Sequence, residues 1–312
     1  MLNKTNILAL VGGGSNPKFL PNKVILWDDN QAKMISELRF SIYVKSVKLK
    51  QDKIYVICEN KIYVFNYITF ESIDQINTFQ NPKGVYALSI NQNMTFLAFP
   101  DRSIGYVRVK SYDTPVNTPL INAHDTPIAA LSLNNEGSLL ATASDKGTVI
   151  RIFKVSAGTL GLELRRGSEQ AEIYCICFDS TSKFISCSSD RKTVHIFSLS
   201  TLRKNMKEEK KCDNYCEVDK YDEEEPKNQK SFLGKITKFL RMPKGYWDSE
   251  WSFAQFRISD QKSICCFGPD NTIGVIGLEG KFYQASFDIQ YGGECSKMQE
   301  FDLDIPNEIE KV

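Results

Sequence analysis

The chain has 312 residues, with 39 Lys and Arg against 38 Asp and Glu and a formal net charge of +1. A hydrophobic share of 42% and a charged share of 25% describe a globular chain with a sizeable core. The near-zero balance gives bulk electrostatics no reason to favour nucleic acid, so any anion site must be local.

The opening MLNKTNILALVGGGSNPK holds a short apolar patch without the apolar core or small-residue cleavage site of a signal peptide. No run of about 18 consecutive apolar residues follows, so nothing reads as a bilayer span and the expectation is a cytoplasmic protein. Short β-rich runs then succeed one another: KVILWDD, VKSVKLK, KIYVICEN, KIYVFNYI, GVYALSIN, IAALSLN, SLLATAS, TVIRIFKV, EIYCICFD, KFISCSSD and TVHIFSL. Turn chemistry such as NNEG, SDKG, DSTSK and SSDRK separates them. The pattern predicts an all-β fold.

The 9 cysteines are odd in number and irregular in spacing, which argues against a disulfide framework. Cys175 and Cys177 in IYCICF, with Cys265 and Cys266 in SICCFG, read as buried free thiols. Cys212 and Cys216 lie in a charged run with no second cysteine pair nearby, so a structural zinc site is not expected.

A repeat is visible. The stretch IAALSLNNEGSLLATASDKGTVIRIF (128–153) lines up with IYCICFDSTSKFISCSSDRKTVHIF (173–197). Ile128 and Ile173 stand 45 residues apart, as do Thr148 and Thr193, and Phe153 and Phe197 stand 44 apart. VYALSINQNMTFLAFPDRSIGYVRV (85–109) is a weaker copy. A period of about 40–45 residues with four short strands per unit is that of a WD-type β-propeller blade, which buries its faces only against its neighbours. The whole chain, 1–312, reads as one such domain.

Residues 201–230 break the pattern. They are almost wholly polar and read as a disordered insertion inside the penultimate blade, which runs on to about residue 250. From Phe232 its character changes: Phe232, Leu233, Ile236, Phe239 and Leu240 cluster on one side of a helix, with Lys235, Lys238 and Arg241 opposite and Pro243 after them. Such a basic amphipathic helix either caps the domain or lies in a membrane interface, with lysines against anionic lipid.

Ahead of the second repeat, LELRRG sets Arg165 beside Arg166. On an extended strand neighbouring side chains leave on opposite faces, so the pair would serve two pockets rather than one. Hydroxyls and imidazoles lie on either side. The preceding blade offers His124, Thr142, Ser144, Thr148 and Arg151; the following one offers Ser189, Thr193 and His195. Guanidinium with such donors suits a phosphorylated ring, although Ser and Thr are common on propeller strands and a surface arginine pair is often only solvated.

ELRRG, flanked by these two repeats and accompanied by LALVGGGSNPKFLPNKVILWDD, NPKG, LAFP, WSFAQFRI and GGECSK in the same order, resembles the PROPPIN family of WD-repeat phosphoinositide-interacting propellers of autophagy, in the branch with Leu before the arginines. The resemblance implies a seven-bladed propeller that binds phosphatidylinositol 3-phosphate and phosphatidylinositol 3,5-bisphosphate. It maps one head-group site to His124, Thr142, Ser144, Thr148, Arg151 and Arg165, and a second to Arg166, Ser189, Thr193 and His195. It further implies a membrane-inserting loop within residues 200–250. The expected protein is a monomer in solution without cofactor, recruited peripherally to phagophore, endosomal or vacuolar membranes. An autophagic lipid-transfer protein is the expected partner, docked near Asn16 to Asn22. Family members carry roughly a further blade before LALVGGG, so about six blades are expected here. A six-bladed ring, a truncated gene model or a lost first blade would each account for that. Two other readings stand beside this one: a WD scaffold that binds only proteins, and a propeller enzyme, for which no nucleophile with its base is visible.

Overall fold

The strands form where the period-2 runs and their turns predict. The structure, a computed structural model, describes residues 5–50, 52–89, 91, 94–113, 118–213, 226–230 and 249–303. Within these residues the strands form six sheets, and the chain divides into two compact units.

The first unit comprises residues 1–86 and 99–106. It contains one sheet of β1 (Ile7–Val11), β2 (Lys23–Asp28) and β3 (Lys33–Arg39), and a second of β4 (Val44–Lys50), β5 (Lys53–Cys58), β6 (Lys61–Asn66) and β7 (Ser72–Asn77), each in chain order. Val24 and Leu26 pack with Val44, Leu49, Ile54 and Val56 to make its core.

The second unit comprises residues 87–98 and 107–312. It takes most of the strands β8 (Ala87–Leu88), β9 (Phe96–Pro100), β10 (Tyr106–Ser111) and β11 (Ile121–Asn122). The two long repeats follow: β12 (Ile128–Leu133), β13 (Leu139–Ser144), β14 (Val149–Lys154) and β15 (Thr159–Arg165), then β16 (Ile173–Phe178), β17 (Phe184–Ser189) and β18 (Thr193–Ser198). After these come a helix α1 (Ser200–Asp213) and the strands β19 (Gln229–Lys230), β20 (Glu250–Trp251), β21 (Ala254–Arg257), β22 (Ser263–Phe267), β23 (Thr272–Gly277), β24 (Lys281–Ser286), β25 (Gly293–Glu294) and β26 (Ser296–Asp302). The sheets run β12-β13-β14-β15-β20-β19, β16-β17-β18-β21-β25 and β22-β23-β24-β26.

The second strands of the two repeats, LLATAS and FISCSS, are buried at every position. Both faces of such a strand are covered, so small and apolar residues replace the usual polar alternation. Ala141, Ala143, Ile150, Ile152, Leu162 and Leu164 share a core with Ile173, Ile185, Cys187 and Phe197 of the next sheet. Val194, Ile196 and Phe256 lie in another core with Ile273, Val275 and Tyr283. The β16-β17-β18-β21-β25 sheet is thus packed on both faces by the sheets before and after it in the chain, the local contact that the repeat period requires.

The insertion differs from the disordered segment that its polarity predicts. Residues 200–213 are helical, and 229–230 and 250–251 are built into a sheet. Leu202 and Met206, one helical turn apart, meet the core, and Leu202 is fully buried. A Cβ at Gly161 would lie 2.5 Å from Leu202 Cδ1, so the glycine makes room for that anchor. Asn228 then clamps the base of the insertion. Its Nδ2 donates to Ser198 O at 2.6 Å and Glu250 Oε2 at 2.7 Å, while Thr201 Oγ1 donates to Glu250 Oε1 at 2.8 Å. Two apolar contacts, Leu202 and Met206, are too short a pattern to mark a helix in an otherwise polar run. The amphipathic segment predicted over Phe232 to Arg241 lies outside the described residues.

Of the thiols expected to be buried, Cys265 is buried, Cys175 and Cys177 are half-buried, and Cys266 is exposed. Alternation explains the last: Cys265 pairs with Val275 on the core face of β22, which turns Cys266 outward.

Candidate functional site

Strand register decides which side chains meet around the arginine pair. Thr142 stands opposite Arg151, and Arg151 opposite Glu163, so the three share one face of the β13–β14–β15 ladder. Ser144, Val149 and Arg165 lie two residues along on the same face. The other face carries the apolar Ala143, Ile150 and Leu164 into the core.

A cleft of about 320 Å³ opens over the polar face, lined by His124, Asp125, Thr126, Ser144, Lys146, Thr148, Val149, Arg151, Glu163 and Arg165. Five of the six residues assigned to the first site from sequence are in this lining. Thr142 is not; it is fully buried, with Oγ1 2.9 Å from His124 Nε2. Burial first, then the Arg151 charge, pulls the His124 pKa down to about 4, so the imidazole is neutral at pH 7. Arg151 donates from Nε to Glu163 Oε2 at 2.9 Å and from Nη1 to Ala123 O at 2.8 Å. Arg165, 6% exposed, donates from Nε to Ser249 Oγ at 2.8 Å.

Arg166 leaves the chain on the other side. Its amide closes on Thr148 O at 3.0 Å, and its Nε donates to Gly147 O at 2.9 Å. Its Nη2 donates to the carbonyl of Glu169. Gly147 has φ +60°, and a Cβ there would fall 1.9 Å from Ala171 O, so only glycine brings this turn so close to the next strand. Burial lowers the Arg166 pKa, yet a guanidinium remains charged at neutral pH.

Three of the four residues assigned to the second site lie at this end of the next sheet, and the Arg166 charge reaches them from the preceding one. Ser189 closes β17 and is buried, Thr193 opens β18, and His195 stands opposite Cys187. Burial, followed by the Arg166 charge, pulls the His195 pKa to about 4. Its Nδ1 is buried without a hydrogen-bond partner among the described residues. Arg191, whose charge acts on Arg166, pairs with Glu169 at 3.2 Å and donates from Nη2 to Gln170 O at 2.8 Å.

Sequence reasoning missed Lys146, Glu163 and Ser249. Glu163 was legible, because it lies two residues before Arg165 on the same strand and so on the same face. Ser249 was not: 84 residues separate it from Arg165, and only the parallel pairing of β15 with β20 brings it there.

The sequence fits the PROPPIN description over residues 15–303. The chain belongs to the PROPPIN family. Autophagy-related protein 18e of Arabidopsis thaliana is 36% identical over 302 residues, which cover 96% of this chain and 74% of that protein. Three fungal SVP1-like proteins 2 match along 46%, 62% and 59% of their own length. The fold resembles Kluyveromyces marxianus Hsv2, with TM-score 0.70, 21% identity and coverage of 98% of this chain and 84% of that one. It also resembles KlAtg21, solved in complex with the coiled-coil of AgAtg16, with TM-score 0.72, 20% identity and coverage of 97% and 84%. This PROPPIN is therefore an all-β protein with the sheets of a propeller and with relatives named for autophagy. In the described residues no helix is long and apolar enough to cross a membrane.

Proposed function

We propose that this PROPPIN binds membranes carrying phosphatidylinositol 3-phosphate or phosphatidylinositol 3,5-bisphosphate and acts as an effector or scaffold in autophagosome formation. One head-group site comprises His124, Thr142, Ser144, Thr148, Arg151 and Arg165, and the other Arg166, Ser189, Thr193 and His195. The blades present are about six of the family's seven.

The observation that carries this reading is the divergence of two adjacent guanidinium groups, each beside buried hydroxyls and a neutral imidazole. Arg165 lines a cleft of about 320 Å³, near the low end of small-molecule pockets and suited to a single ring. Phosphate oxygens accept charge-assisted bonds from guanidinium, while Ser and Thr hydroxyls and the imidazoles orient the ring hydroxyls.

Each site alone gives modest affinity. Two sites on one rigid domain, with Phe232, Leu233, Ile236, Phe239 and Leu240 entering the interface and Lys235, Lys238 and Arg241 on its anionic surface, act on the same membrane together. Effective concentration multiplies the contributions, so recruitment follows lipid density. The output is peripheral recruitment to phagophore and endosomal or vacuolar membranes, with no chemical step. An autophagic lipid-transfer protein and a coiled-coil partner such as that solved with KlAtg21 are the partner classes this reading favours.

Flotation with vesicles containing phosphatidylinositol 3-phosphate tests it. Changing Arg165 and Arg166 to Thr should abolish flotation; unchanged flotation would favour a scaffold that binds only proteins.

A further inference from the structure

Carrying the strand register of one repeat onto the next aligns two arginines. In the first repeat Arg151 faces Glu163 and Val149 faces Arg165. In the second His195 faces Gln255 and Thr193 faces Arg257. The backbone agrees: the amide after each arginine closes on the preceding hairpin, Arg166 N on Thr148 O at 3.0 Å and Ile258 N on Lys192 O at 2.9 Å. Arg257 therefore holds in the second sheet the place that Arg165 holds in the first.

Residues directly opposite one another share a face, with Cβ atoms about 4.5–5.5 Å apart. Arg257 thus stands on the face of Thr193 and His195. Cys187 and Phe197, on that face, pack with the preceding sheet, whereas Val194 and Phe256 pack with the following one. Arg166 arrives from the preceding sheet onto the same side. Arg257 is exposed, and its guanidinium makes no hydrogen bond or ion pair with the described residues. On the same face, the buried His195 Nδ1 has no partner among them. The two sites also differ in charge. Gln255 takes the place of Glu163 and donates to Glu294 Oε1 at 3.1 Å, so the carboxylate is moved one strand outward.

We propose that Arg257 is a phosphate-binding residue of the site formed by Arg166, Ser189, Thr193 and His195. It gives that site a second guanidinium, which selects inositol rings carrying two phosphates besides the diester. The inference rests on the lipid-binding reading above and adds a specificity residue to it. A ring with one such phosphate is held by Arg166; the second phosphate is the group that meets Arg257.

Calorimetry in an Arg165→Thr background, which leaves this site alone, tests the assignment. The probes are soluble inositol 1,3-bisphosphate and inositol 1,3,5-trisphosphate. Arg257→Gln should weaken the trisphosphate about tenfold and the bisphosphate less than about threefold, the scale of one charge-assisted contact. Arg257→Lys, which keeps the charge, should lose less. Equal losses for both probes, no loss, or the same loss from Lys as from Gln would overturn the assignment. If the parent chain binds neither probe, the lipid-binding reading itself fails and takes this one with it. Vesicles carrying the two lipids distinguish membrane head groups from free inositol phosphates: binding of soluble probes without flotation also overturns the lipid reading.

Discussion

Ser249 Oγ accepts a hydrogen bond from Arg165 Nε at 2.8 Å, although 84 residues of chain separate the two. The parallel pairing of Leu164 with Glu250 and of Arg165 with Trp251 produces this contact at the foot of the insertion. The same foot is clamped by Asn228 and Glu250 to Ser198 and Thr201. A segment that interrupts one repeat thus orients the arginine of the other.

Ser249→Ala removes one buried hydrogen bond to a charged group, worth about 1.5–3 kcal/mol where it is made well. The guanidinium keeps its other contacts, so the expected effect on head-group binding at the Arg165 site is a loss of about three- to tenfold. Binding at the Arg166 site should not change. Calorimetry in Arg166→Thr and Arg165→Thr backgrounds separates the two; equal effects on both would show that Ser249 acts on the fold instead.

The two histidines give the protein a defined acid sensitivity. Both have folded pKa values near 4, against 6.5 for an unperturbed ring. Between these values the unfolded chain binds more protons, so stability falls as pH drops from about 6.5 towards 4 and is unaffected by these rings above that range. At full development the penalty is on the order of 3 kcal/mol per ring. Urea midpoints measured from pH 7.5 to 4.5 should decline, and His124→Asn and His195→Asn should each flatten the decline. Identical slopes in the variants would contradict the burial-driven shifts.

Leu202 contributes to the core from within the insertion. Leu202→Ala empties a fully buried position over Gly161 and should cost about 2–4 kcal/mol in chemical denaturation. A change below about 0.5 kcal/mol, the range of surface substitutions, would mean that α1 does not stay packed.

Much of this was legible in the sequence because it follows from alternation and period. The β-runs derive from side chains that alternate along a strand, and the spacing of the two repeats from a unit of four short strands. Alternation also places Glu163 on the face of Arg165, but its position opposite Arg151 comes only from the strand register. The residues that escaped depend on pairing between distant segments. Ser249 is fixed by a two-residue parallel contact, and Leu202 by a gap left at a single glycine. Arg257 was hidden differently: the sequence repeat equates Thr193 with Thr148, while the strand ladder matches it to Val149, because the second hairpin is one residue shorter.

The basic apolar segment should act only at a membrane. Deleting residues 232–242 is expected to reduce vesicle flotation while soluble head-group affinity stays within about twofold, since an inserting segment adds interfacial burial and not ring contacts. Equal loss of both would assign the segment to capping the fold.

The central claim is that Arg165 and Arg166 complete separate sites, and the number of head groups bound per chain tests it most directly. Titrating soluble inositol 1,3-bisphosphate into the protein by calorimetry should give two equivalents for the unmodified chain. Arg165→Thr and Arg166→Thr should each give one, and the double variant none. A single equivalent for the unmodified chain, abolished by either substitution, would contradict the account.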